Sequence, residues 1–229
     1  MIVLNKKVAR KVLETVDAGL VYGLGDPTPG KMCVEAAVNY ALGRPHGDNP
    51  SCVGAAVRSF KIRLNDAAWP TNKDRTEGMR KLAIAQLGSN EIDQKAFRSY
   101  VVVETVKRIV PIALRVAAKL NPKHADVLEG CAVVCEAATD LLSARAAARA
   151  ANETAERVRD AAYDAAAYAA YAAAAASAAY AYAASAAYAA AADAKNKARL
   201  KVLRLCAAIG LEALIKLKSP GVKWLDLCE

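Results

Sequence analysis

The stretch GLGDPTPGKMCVEAAVNYALGRPHGDNPSC, residues 23–52, gathers Asp26, Lys31, Cys33, Glu35, Arg44, His46, Asp48 and Cys52. Three chemistries could use these side chains. Cys33 and Cys52 each follow a turn rich in Gly, Pro or Ser, which predicts a place in the first turn of a helix. A helix N-terminus lowers a thiol pKa, and His46 would be the base of such a nucleophile. No third, orienting group is evident. A metal reading takes Cys33 or Cys52 with Glu35, His46 and Asp48, a mixed donor set that zinc tolerates. The chain's only other histidine is His124, however, and no two ligands show the helical spacing of a His pair. The third chemistry is anion binding. Two helix N-termini, behind PTPGK and GDNPS, would offer free backbone N–H groups, and Lys31, Arg44, His46, Arg58 and Arg63 form the candidate ligand set. Arg75 and Arg80, in KDRTEGMRK, could close it. GLGDPTPG is neither a dinucleotide fingerprint nor a phosphate loop. The plain alternative is that Gly, Pro and Asp here only shape helix connections, with Asp48 and Asp66 closing turns.

The elements that would hold these residues read as helices throughout. Val3, Leu4, Val8, Val12, Leu13 and Val16 recur at helical spacing through residues 2–18. YGLGDPTPGK breaks that pattern with three Gly and two Pro in ten residues. A second helix is predicted from Met32 to Leu42, and a third from a Ser51 cap to Leu64. NDAAWPTN is a turn in which Trp69, held extended by Pro70, lids an apolar surface. Asp74 to Gly88 reads as a short amphipathic helix. A longer one, capped at Ser89 or Asn90, runs to Lys119 with a bend at Pro111. Asn121 and Pro122 open the next. Between Pro122 and Lys218 there is no further proline, so breaks are expected near Asn152 and Asn196. SYVVVE (99–104) is the one β-branched run, and a helix absorbs it. The expectation is an all-α, multi-helix bundle with long Ala-rich helices. Residues 1–97 form an N-terminal region with Gly/Pro-rich turns, and residues 98–229 a long-helix region packed with it as one unit.

Composition narrows the function. The chain has 229 residues and a formal net charge of +9, which favours acidic partners without choosing among them. The basic residues are spread over several segments, and the tyrosines lie away from them, unlike a nucleic-acid surface. Six cysteines without paired CxxC modules, with Cys131 and Cys135 on one helix face, suit a reducing, cytoplasmic setting. The opening residues MIVLNKKVARKVLETVDAG lack the pattern of a secretory signal.

Residues 165–192, AAAYAAYAAAAASAAYAYAASAAYAAAA, contain 21 Ala, 5 Tyr and 2 Ser. Alanine has the highest helix propensity, so the run is predicted helical. It is long enough to span a bilayer, but it lacks the Leu, Ile and Phe that drive insertion, and its Tyr hydroxyls fall at every depth. The tyrosines make no regular face. The run reads as a structural helix whose small side chains let neighbours approach closely, with the rings filling gaps. Such a helix of little bulk also invites self-association.

From VETVKRIVPIALRVAAKLNPKHADVLEGCAVVCEAATDLLSARAAARAANETAERVRDAAYDAAAYAAYAAA onward, the chain resembles the alanine-rich immunity proteins of bacterial polymorphic toxin systems. Arg108 to Ile112, Pro122 and the Ala/Tyr run match that pattern in order, over residues 98–215. Tyr stands where the family carries Trp and Arg between its Ala blocks. The resemblance implies a non-enzymatic protein that binds and neutralises a toxin or effector, and no residue role transfers with it. With the net charge, it implies an acidic protein partner. The expectation is therefore an interaction protein without cofactor or metal, the alternative being a nucleotide or phosphate ligand, bound or hydrolysed at the front turns.

Overall fold

A computed structural model describes residues 4–159 and 196–229. It is all-α, a multi-helix bundle. The chain divides into two compact units, one made of Met1–Phe97 with Ala207–Glu229 and the other of Arg98–Cys206. The 28-residue Ala/Tyr run at 165–192 falls outside the described residues.

The first unit begins with α1 (Lys6–Asp17), opened by Asn5, whose Oδ1 accepts from Val8 N–H at 3.0 Å. Of the apolar positions read from the sequence, Val12, Leu13 and Val16 are buried and Val8 is half-buried, with Ala9 buried beside them. After it come α2 (Val34–Ala41), α3 (Ala55–Asn65) and α4 (Asn72–Ala85). α1 packs on α2 and α4, and α2 on α3. Cys33 is the N-cap of α2, its Sγ accepting from Ala36 N–H at 3.4 Å. α3 starts later than Ser51. Pro50 C=O and Val53 N–H close a turn first, and the helix is then capped by groups remote in sequence. Gly54 N–H donates to Ser89 Oγ at 3.1 Å and Ala56 N–H to Gln94 Oε1 at 3.0 Å. Trp69 is buried as expected and donates its indole N–H to Leu64 C=O at 2.7 Å.

α5 (Gln94–Arg108) is capped by Asp93, whose Oδ1 accepts from Lys95 and Ala96 N–H, and Ser89 lies in a separate 3-10 turn. The single helix predicted up to Lys119 is two. α6 (Val110–Leu120) restarts after Ile109, with Pro111 in its first turn. A proline ring clashes with the carbonyl four residues back and has no N–H to give, so it begins a helix better than it continues one. Pro122–His124 form a 3-10 turn before α7 (Ala125–Glu136). α8 (Leu141–Arg159) runs straight through Asn152, whose Nδ2 donates to Glu156 Oε1 at 2.9 Å. The break lies earlier, at residues 137–140, where Asp140 Oδ1 accepts from Ser143 N–H while Ser143 Oγ accepts from Asp140 N–H. That reciprocal cap satisfies two donors that a helix start leaves open.

The second unit's core joins Val106, Val110 and Leu114 to Leu128, Ala132 and Cys135, and these to α8. α8 contributes Ala144, Ala148, Ala151, Ala155 and Val158, all buried in steps of four and three. Alanine buries little area, so such a seam is stable only because it lets a neighbouring backbone come near. On the surface, Arg115 of α6 grips Glu129 and Glu136 of α7, at 2.7 and 2.5 Å.

α9 (Asn196–Lys216) carries the boundary between the units at Cys206–Ala207. Within the first unit, a Cβ on Gly210 would strike the Phe60 ring, so only glycine fits there. Phe60 in turn meets Phe97 edge-on, with centroids 5.9 Å apart. A 3-10 segment, Pro220–Cys228, packs on α1 and α4, and Ser219 Oγ donates to Ala85 C=O at 2.6 Å in the interior.

Candidate functional site

The chemistry-bearing stretch folds as two loops flanking α2. In the first, the chain doubles back, with Val21 N–H on Met32 C=O, Asp26 N–H on Lys31 C=O and Cys33 N–H on Leu24 C=O. Gly25 makes this possible. Its φ is +70°, and a Cβ there would collide with the Lys31 carbonyl. Asn65 and Asp66, at the end of α3, bind the loop down. Asn65 Nδ2 donates to Val21 C=O at 2.9 Å, and Asp66 Oδ1 accepts from Gly23 N–H at 2.8 Å. The second loop is tied to the first by His46, whose Nε2 donates to Gly25 C=O at 2.9 Å. Asn39 Nδ2 holds it from the other side through Gly47 C=O at 2.8 Å.

This places the candidate ligand residues one by one. His46 is a strap between loops. Lys31 is exposed in the first loop, and Arg44 is exposed in the second, where it lines an open cavity of about 320 Å³ with Asp48, Asn49 and Ser51. Arg58 is half-buried and its charge acts on Glu35, whereas Arg63 is exposed in the last turn of α3. Five residues apart on one helix, Arg58 and Arg63 point about 140° from each other. The loops therefore bring Lys31 and His46 to the same turn and set Arg44 in the cavity wall, while the two α3 arginines diverge.

The thiols do not behave as helix-start nucleophiles. Cys33 is a cap rather than a first-turn residue, and Cys52 lies in the turn before α3. Both are buried, and burial holds both thiols above the ordinary cysteine value. Among the described residues no three His, Cys, Asp or Glu side chains are grouped as a metal ion would need.

What sequence reasoning missed is Lys61. It is fully buried, 3.5 Å from an equally buried Glu35. Burial drives the Lys61 amine down to about 8 and Glu35 up, each partly offset by the other's charge. The signal was present. Lys61 lies on the line of Val57 and Leu64, the buried face of α3, and Glu35 is flanked by apolar residues in CVEAAV. A narrow pit of about 20 Å³ reaches Glu35 of this pair, lined also by Leu24, Cys33, Asp48 and Asp66 among others.

Comparison with protein-family models, curated proteins and solved structures finds no match for this chain.

Proposed function

We propose that this chain is an immunity-type binding protein that neutralises a toxin or effector by occupying its surface, with no chemistry of its own. The observation that carries this reading is the outer face of α7. Val127, Val133 and Val134 are each more than half exposed, and Leu142, at the start of α8, is 80% exposed. Val127, Gly130 and Val134 follow one another at i, i+3 and i+7, and the space beside Gly130 is open. Single exposed aliphatics are ordinary. Four large ones within 16 residues make a patch of the kind that marks an interaction site. The patch lies in the region that resembles immunity proteins, and the net charge of +9 favours an acidic rim on the partner. All six cysteines are free thiols, which suits a reducing cytoplasm, and no helix among the described residues is long and apolar enough to cross a membrane.

The test is photo-crosslinking from position 142 in the producing cell, followed by expression of the captured protein in a naive host. The expected partner arrests growth, and this chain restores it, but the Val134→Glu/Leu142→Glu variant does not. Rescue by that variant, or capture only of a second copy of the chain, would overturn the reading. A phosphate or nucleotide ligand is the second reading, favoured by Arg44 in the wall of the open cavity. A rise in melting temperature with inorganic phosphate or nucleotides would support it.

A further inference from the structure

Asp48 stands in the wall of two concavities at once. It lines the open cavity of about 320 Å³ beside Arg44, and the narrow pit of about 20 Å³ beside Glu35. The shared residue sets the two concavities side by side. In the open cavity, Arg44 and Asp48 present opposite charges to the same space, and among the described residues neither side chain has a hydrogen bond or an ion pair. In the pit, Glu35 is wholly excluded from solvent and neither of its carboxylate oxygens receives a hydrogen bond, although Lys61 Nζ is 3.5 Å from one of them. A buried carboxylate without donors is costly, so an occupant of the pit that donates hydrogen bonds is favoured.

Size and charge define the occupant. The pit has room for a single group the size of a water molecule. Its polar lining is dominated by acceptors, and Asp66 Oδ1 is already taken by Gly23 N–H and Asn65 Nδ2. Lys61 balances Glu35, which leaves the carboxylates of Asp48 and Asp66 as the net negative charge at the pit. An ammonium nitrogen has the right size, donors only, and the right sign. The wider cavity offers the opposite chemistry, with the Arg44 guanidinium and the Ser51 hydroxyl suited to a carboxylate or phosphate.

We propose that this double cavity binds a small zwitterion, in which a primary ammonium enters the pit at Asp48 and Glu35 and a carboxylate or phosphate rests on Arg44. The site shares its outer cavity with the phosphate reading, and inorganic phosphate as a probe separates the two. It is independent of the α7 face.

The experiment is calorimetric titration and thermal shift of the full chain with ω-amino carboxylates from glycine to aminohexanoate and with phosphoethanolamine. Matched controls are alkylamines without the anion, carboxylic acids and inorganic phosphate without the amine, and phosphocholine, whose trimethylated nitrogen is too large for the pit. The expected result is saturable binding of at least one zwitterion. That binding should weaken about tenfold or more in both Asp48→Asn and Arg44→Gln, each the loss of one charged hydrogen bond. Both residues are exposed, so the variants should keep the unliganded melting temperature. Glu35→Gln, which disturbs the core, is not needed. Binding of phosphate or of an alkylamine as tightly as any zwitterion would overturn the proposal, as would equal binding of phosphocholine or no binding by any member of the series.

Discussion

Lys61 Nζ and Glu35 Oε1 lie 3.5 Å apart with both side chains wholly shut off from water. An ion pair in that position gains Coulomb energy but loses the hydration of two charges, so its net contribution to stability is small. Breaking it is another matter. Glu35→Gln strands the Lys61 ammonium in the core and should cost about 3–5 kcal/mol, whereas Glu35→Leu with Lys61→Met should be near neutral or stabilising. Urea unfolding of the three proteins decides. A single variant as stable as the parent would show that solvent already reaches the pair.

The same pair fixes a pH dependence. Lys61 titrates at about 8 in the fold against 10.5 for a free lysine, so between those values the unfolded chain holds a proton that the native state lacks. Stability should therefore rise with pH through that window. Glu35, raised by burial above the ordinary glutamate value of 4.5, acts in the opposite sense. Above that value the native state holds the extra proton, and its contribution is lost as pH climbs through the folded pKa. Relative to the Glu35→Leu/Lys61→Met protein, the parent should be weakest between the two windows. A constant difference from about pH 5 to about pH 10 would contradict this.

Gly78, inside α4, faces the Trp69 ring closely enough that a Cβ would overlap it. Gly78→Ala sets a gain in helix propensity of about 1 kcal/mol against overpacking of about 1–3 kcal/mol. The steric loss should win, and the ring should shift, lengthening its hydrogen bond to Leu64 C=O. Net destabilisation with a changed Trp69 emission is the expected outcome. A stabilised variant with unchanged fluorescence would mean the ring has room.

Cysteine reactivity should follow burial. Cys131 is half-exposed, with Sγ 3.4 Å from Thr154 Oγ, while Cys33, Cys52 and Cys135 are buried with thiols raised by desolvation. Iodoacetamide at neutral pH, read by peptide mass, should label Cys131 first and the other three only at the rate of opening. Fast labelling of Cys33 or Cys52 would revive a nucleophilic role.

Arg115 bridges two carboxylates across a surface, its guanidinium pKa raised chiefly by the hydrogen bonds it donates to Glu136 and Glu129. The site is largely solvated, so Arg115→Met should cost no more than about 1 kcal/mol. Arg115→Lys should not restore it, because an ammonium cannot fork to two carboxylates. High salt should erase the difference between parent and variant.

Helix type was legible where periodicity and local caps coincide, as in α1, where Asn5 and the Val8–Val12–Leu13–Val16 line suffice. It was less legible where the deciding partner is distant. The start of α3 depends on Ser89 and Gln94, more than thirty residues away, so Ser51 looked like the cap. Asp140 and Ser143 are a readable local cap, whereas the charges around Asn152 decorate a continuous helix. Of the candidate ligand set, the loop placed Arg44 in a cavity wall, but His46 went to a backbone carbonyl, since an unpaired carbonyl beside a glycine turn competes well for a ring N–H. Lys61 escaped because lysine types read as solvated, although its position on the apolar line of α3 says otherwise.

The first unit is assembled from two stretches separated by more than a hundred residues. Gly210 meets Phe60, the backbone of Gly221 abuts Ile84 and Leu87, and Ser219 closes on Ala85. During synthesis, residues 1–97 leave the ribosome well before those contacts exist. They must wait, with one side of their core uncovered, while the whole intervening unit is translated. The chain is thus a late-closing one, exposed to chaperones for the time it takes to make residues 98–206, and slowing translation there should prolong that exposure rather than relieve it.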